Sequence, residues 1–187
     1  MRRLVLLVAA ALVLPVVPAA ADSGTFRDPE EQPFCESPDP CPDDDYMDFR
    51  RLTFGHGDSG RTLRHGFYTE KRWKTRRLGG RHGTTIDITF NTDRDQRGER
   101  SIEIRRKDGE LQARMFRGRY LLKPIPGDIR VWRPDRRSVK VAFAPRLLGE
   151  RVRRYRWYVV WYDRGLACPG SCGNDFAPNK GWYEHRL

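Results

Sequence analysis

Residues 86–115 read IDITFNTDRDQRGERSIEIRRKDGELQARM, and their apolar residues recur at every second position. Ile86, Ile88 and Phe90 alternate with Asp87 and Thr89, Ile102 and Ile104 flank Glu103, and Leu111, Ala113 and Met115 follow. A period of two puts successive side chains on opposite faces of a strand, whereas a helix repeats at about 3.6. Lys107-Asp108-Gly109 is a hairpin turn signal between the second and third runs. The first two runs are joined by a polar stretch that starts at Asn91.

The same period extends in both directions. Leu52 and Phe54, then Leu63, His65 and Phe67, precede the quoted stretch; Ile129 and Val131, then Val139, Val141 and Phe143, follow it. Turn signals separate these runs: HGDSG at 56–60, LGG at 78–80, PGD at 126–128 and RPD at 133–135. YRWYVVWYD at 155–163 is apolar on both faces, which predicts a central strand covered on both sides. Many short strands at regular spacing predict an all-β fold, an antiparallel β-sandwich of jelly-roll or immunoglobulin-like type. The one helical signal is a short turn at 145–149, with Pro145 at its start and Gly149 at its end.

The N-terminus supplies Arg2 and Arg3, an apolar run from Leu4 to Val17, and Ala19-Ala20-Ala21. This order predicts a cleaved secretory signal over 1–21. The run is short and broken by Pro15 and Pro18, while a spanning helix needs about 20 apolar residues, so no membrane span is expected after cleavage. Residues 22–48 hold ten acidic residues and one basic one, whereas 33 basic and 15 acidic residues follow from Phe49 onward. The reading is an acidic, Pro-rich flexible leader over 22–48, too poor in apolar groups to fold alone, and one basic domain over 49–187. Such a domain outside the cell attracts a glycan or a polyanionic cell-wall polymer, and nucleic acid only non-specifically. A competing account is that 30 of the 36 basic residues are Arg, as a GC-rich coding sequence produces without selection for binding. A monomer is expected.

Four cysteines in an exported chain suggest disulfides. Their spacings are Cys35-x5-Cys41 and Cys168-x3-Cys172. Three pairings are open, and the local pairs Cys35–Cys41 and Cys168–Cys172 are favoured because each encloses turn-forming residues. Zinc at Cys168 and Cys172 lacks a second closely spaced pair nearby.

Gly57-Asp58-Ser59-Gly60 resembles the nucleophile loop of chymotrypsin-like proteases, but that family needs a histidine base and an aspartate earlier in the chain. Only His56 precedes Ser59 in the mature sequence, within the same turn, and Arg61 replaces a further glycine. LTFGHGDSG at 52–60 also resembles the first block of GDSL-type esterases, yet Trp182 stands where their aspartate before His185 would be. A secreted serine hydrolase using Ser59 is therefore kept as the alternative to a non-catalytic protein, as is a structural protein without a ligand. Of the four histidines, His56, His65, His82 and His185, none forms a close ligand pair, and His65 reads as a hydrogen-bonded core residue.

Asn91, Asp93, Asp95 and Glu99 can supply several of the six to eight oxygens that calcium takes. Counted from Asn91, Gln96 and Ile102 fill the positions where an EF-hand needs Gly and an acid, so this is not that loop. Arg94, Arg97 and Arg100 stand ready to neutralise the acids. No cofactor is expected apart from this calcium candidate. Trp73, Trp132 and Trp182 lie near turns and are the candidates for stacking on sugar rings, while Trp157 and Trp161 read as core.

ITFNTDRDQRGERSIEI at 88–104, VWRPDRRSVKVAFAPRLLG at 131–149 and YRWYVVWYDRGLACPGSCGNDFAPNKG at 155–181 together resemble uncharacterised secreted bacterial proteins with a β-sandwich similar to DOMON and family-nine carbohydrate-binding modules. The likeness covers roughly residues 49–187 and includes a closing loop Asp175-x-x-Pro178-x-x-Gly181. It implies a sandwich and a carbohydrate class of ligand. Met115 and His65 match no haem-ligand motif of the redox-active members, so haem is not implied. The expected function is a secreted, non-catalytic binding or surface module for a glycan or acidic wall polymer.

Overall fold

A computed structural model describes residues 23–28, 34–35, 48–79, 84–93, 95, 98–162, 172–178 and 180–187. It contains thirteen described strands: β1 Gly24–Arg27, β2 Phe34–Cys35, β3 Phe49–Gly57, β4 Thr62–Thr69, β5 Thr85–Asn91, β6 Arg100–Lys107, β7 Glu110–Arg117, β8 Tyr120–Leu121, β9 Ile129–Trp132, β10 Ser138–Phe143, β11 Arg154–Tyr162, β12 Cys172–Ala177 and β13 Tyr183–Arg186. One sheet has five strands in the order β1-β3-β4-β10-β9. The other has eight, in the order β2-β12-β11-β5-β6-β7-β8, with β13 also on β11. All pairings are antiparallel. The chain is thus the all-β, antiparallel sandwich that its period-two pattern predicts.

The alternating residues meet in register. Ile86 lies opposite Ile104 and Ile88 opposite Ile102, and Ile102 and Ile104 lie opposite Met115 and Ala113. Val159 and Trp161 oppose Ile88 and Ile86 across β11 and β5. The five-stranded sheet meets this layer with Leu52, Phe54, Leu63, Phe67, Val139, Val141 and Phe143, all buried. Trp157 and Trp161 are core residues, at 0% and 1% exposure. Burying a large apolar side chain contributes about 1.5–3 kcal/mol, so the interface between the sheets is the main stabilising element.

Asp108 and Gly109 take positive φ between β6 and β7, as a two-residue hairpin turn requires. Pro145–Leu147 forms a 3-10 turn, and Gly149 beyond it has φ 132. Among the described residues, no helix is long and apolar enough to cross a membrane. Ala177–Pro178 is a cis peptide in the closing loop. There the Asp175 carboxylate accepts the Phe49 backbone N–H at 2.6 Å, tying β12 to the start of β3.

Two expectations need adjusting. The segment read as a free leader contributes β1, which pairs with β3 from Gly24↔Phe54 to Arg27↔Arg51. Phe26 is the reason: its ring stacks at 5.2 Å on Phe54 and at 3.9 Å on Tyr183, which gives four polar-flanked residues an apolar anchor. β11 is central, between β5 on one edge and β12 and β13 on the other. Its inward residues Tyr155, Trp157, Val159 and Trp161 form a fully buried row, and on the outward side Val160 is buried as well, whereas Tyr158 and Tyr162 are half-buried. The signal over 1–21, most of the leader, Cys41, His82 and Cys168 lie outside the described residues.

Candidate functional site

Strand alternation that buries Leu52, Phe54, His65, Phe67, Val139 and Val141 turns their neighbours outward. The register then aligns those neighbours across the five-stranded sheet. One row runs Arg27–Arg51–Tyr68. The next runs Thr53–Gly66–Lys140–Trp132, and a third runs Gly55–Arg64–Ala142–Arg130. Five cations and two aromatic rings therefore share one outer face. The Arg51 guanidinium lies 4.0 Å from the Tyr68 ring centroid and the Arg130 guanidinium 4.8 Å from that of Trp132. The Lys140 ammonium is 5.9 Å from Tyr68 on the same face. Stacking fixes an arginine without using its N–H donors, and a guanidinium presents five of them.

Arg51 and Tyr68 also line an open cleft of about 750 Å³ with Arg50, Thr69, Glu70, Arg72, Asp135, Arg136 and Arg137. Its walls are built locally. The Asp135 carboxylate accepts the Arg137 N–H at 2.7 Å, folding 133–137 into a turn. That turn docks on the end of β4 and the segment after it, where Arg137 O accepts the Thr69 N–H at 2.9 Å and Arg136 O the Trp73 N–H at 3.0 Å. Arg50 pairs with Glu70 at 2.7 Å, and this hydrogen bond and charge hold the Glu70 carboxyl below its usual range. The backbone N–H of Arg137 does the same for Asp135. Five arginines thus face two carboxylates, both already engaged, and the cleft and outer face form one continuous basic surface.

The three tryptophans do not form a common platform. Trp73 is 5% exposed. Arg133 lies 3.6 Å from its centroid on one side and Trp161 packs edge-on at 6.4 Å. Arg133 further donates to Thr75 Oγ1 at 2.9 Å and Trp73 O at 3.1 Å, so Trp73 is held against the 133–137 turn. Trp132 is half-buried on the outer face of the five-stranded sheet. Trp182 packs at 4.7 Å against Tyr158, on the outward side of β11 in the other sheet.

The acidic turn after β5 does gather Asp93, Asp95 and Glu99, with one carboxylate oxygen of each within 4.8 Å of the others. These oxygens serve the turn itself. Glu99 accepts the Thr92 N–H at 2.8 Å, the Thr92 hydroxyl at 3.2 Å and the Asp93 N–H at 3.3 Å, and Asp93 accepts the Asp95 N–H at 3.0 Å. Asn91 is buried and donates its amide to the Asp95 carbonyl. Partial burial and the Asp93 contact raise the Glu99 carboxyl, while the Asp95 N–H and Glu99 lower Asp93. Arg100 points elsewhere, donating to Leu148 O at 2.8 Å. Arg94 and Arg97 lie outside the described residues. The arrangement supplies three carboxylates, about half of the oxygens calcium takes.

Ser59 lies in the 3-10 turn Asp58–Gly60 with φ 56. Asp58 there accepts from Thr62 Oγ1 at 2.9 Å and Arg64 at 2.8 Å, so it orients no histidine. Among the described residues, Ser59 has no hydrogen bond to a histidine.

The sequence did not reveal a polar chain through the core. Tyr155 OH lies 2.8 Å from His65 Nε2 and 2.6 Å from His185 Nδ1, and all three residues are buried. Burial, and secondarily the charge of His185, push His65 well below the ordinary histidine value. His65 Nδ1 has no hydrogen-bond partner, so a neutral ring that keeps its proton on Nε2 leaves no buried donor unmet.

No protein-family model matches the chain, and no curated protein or solved structure matches it.

Proposed function

We propose that this protein is a secreted, non-catalytic module that binds an anionic polymer, an acidic cell-wall polymer or anionic glycan, through the outer face of its five-stranded sheet. The observation that carries the reading is the row Arg27–Arg51–Tyr68 running into the arginine-lined cleft. A surface of one sign attracts a polymer of the other and releases its counterions. Tyr68 and Trp132 add flat apolar area suited to sugar rings, in agreement with the resemblance to carbohydrate-binding sandwiches. The export signal read from the sequence would deliver the domain to such a polymer.

The test is co-sedimentation with purified cell wall across a salt series, with wild type beside an Arg51→Ser/Arg136→Ser double variant. Retention at low salt, loss at high salt and a shallower salt slope in the variant are expected. Absence of retention at low salt rejects the reading, and equal retention of variant and wild type moves the site off this face.

A further inference from the structure

β2 is only two residues long, and its partner is β12. The register sets Cys35 opposite Cys172 and Phe34 opposite Asn174, with one extra residue, Gly173, on the β12 side. Directly opposed residues of an antiparallel ladder have Cα atoms about 4.5 or 5.5 Å apart, and a disulfide spans Cα separations of about 4.4–6.8 Å. We propose that Cys35 and Cys172 are joined by a disulfide, which ties the N-terminal acidic segment to the last part of the sandwich. Of the three pairings open to four cysteines, this one leaves Cys41 for Cys168.

The position of β2 supports the bond. An isolated pairing of two residues is marginal by itself, and the segment around it is acidic and poor in apolar groups. A covalent link between partners far apart in sequence gives that edge pairing a reason to persist, chiefly by restricting the unfolded chain. The chemistry requires an oxidant, and a disulfide-bearing thiol oxidase of an exporting compartment supplies it. A thiolate of one cysteine attacks that disulfide, and the thiolate of the other displaces the oxidase from the mixed disulfide. One S–S bond forms in the protein, and two electrons and two protons leave with the oxidase as its dithiol.

The full exported chain, alkylated and then digested with trypsin without reduction, distinguishes the pairings. Cleavage after Arg27, Arg50, Arg164 and Lys180 puts Cys35 and Cys41 in peptide 28–50 and Cys168 and Cys172 in peptide 165–180. The expected product is one mass holding both peptides, which separates on reduction. Two separate peptides, each with an internal disulfide, overturn the proposal, and so do four alkylated thiols. A Cys41→Ser/Cys168→Ser variant is expected to keep the link and a Cys41→Ser/Cys172→Ser variant to lose it; the reverse pattern assigns Cys35 to Cys168 and also overturns it.

Discussion

The acidic turn after β5 and the basic face of the five-stranded sheet are both dense in charge, yet they use it in opposite ways. In the turn, Glu99 and Asp93 accept the backbone N–H groups of Thr92, Asp93 and Asp95, so the charges hold their own chain. On the sheet, Arg51 and Arg130 rest on Tyr68 and Trp132, and ring contact leaves guanidinium donors for another molecule. Counting charges does not separate a structural cluster from a binding surface. What the charged atoms already bond does. The buried His65 is a third case, a titratable group kept neutral by its surroundings.

Four measurements would break or sharpen this contrast. The largest effect on stability is expected from Glu99→Ala. It should lower unfolding free energy by about 1.5–3 kcal/mol, the range for hydrogen bonds to a charged group, while wall retention stays at the wild-type level. Chemical denaturation beside co-sedimentation measures both, and a drop in retention would make the turn part of the binding surface. Second, His65 makes the fold sensitive to acid. Its folded value lies below its unfolded one, so its contribution is complete above the ordinary histidine value and declines as pH falls below about 6.5. The slope reaches about 1.4 kcal/mol per pH unit for one proton taken up on unfolding, and His65→Gln should flatten it. An unchanged slope in that variant would place the acid sensitivity elsewhere.

Third, Arg51→Ser/Arg130→Ser should reduce wall retention severalfold at low salt, since two of the cations that would displace the polymer's counterions are removed. Stability should move by less than about 0.5 kcal/mol per surface substitution, and a large fall in melting temperature would show that these arginines serve the fold as Glu99 does. The smallest effect is expected from calcium. With the Asp93 and Glu99 carboxylates already accepting backbone N–H groups, millimolar calcium and chelator should give the same melting temperature. A ligand at 100 times its dissociation constant would add about 2.7 kcal/mol, so a clear rise would turn the cluster from a structural element into a metal site.

The sandwich was legible because alternation is local: Ile86, Ile88 and Phe90 announce their strand whatever they pair with. β11 was legible as central from its apolar run, but the half-burial of Tyr158 and Tyr162 depends on which elements cross the outer side. Trp73 misled because its neighbours are charged. Arg133, sixty residues away, closes over its ring, and no local pattern announces that. The cleft joins Arg50 and Arg51 to Arg136 and Arg137 only through strand pairing, and the histidine chain joins residues 65, 155 and 185 in the same way. Of the acidic turn, the residues were legible, but which donors they serve was not.

Gly66 lies within the basic face. It stands between Thr53 and Lys140 in the middle row, and a Cβ there would come within 2.5 Å of Thr53 Oγ1. Gly55 and Ala142 occupy the adjacent row beside Arg64. The Thr53, Tyr68 and Lys140 side chains close over the space that a side chain at Gly66 would take, and Gly55 and Ala142 are buried as well, so the cationic and aromatic side chains around them carry the contact surface. Neighbouring strands are about 4.8 Å apart, so a chain lying across the strands of this face meets a new rung at that interval. Short oligomers would reach two or three rungs and long ones all five, which makes chain length, and not only charge, the variable by which this face would sort its ligands.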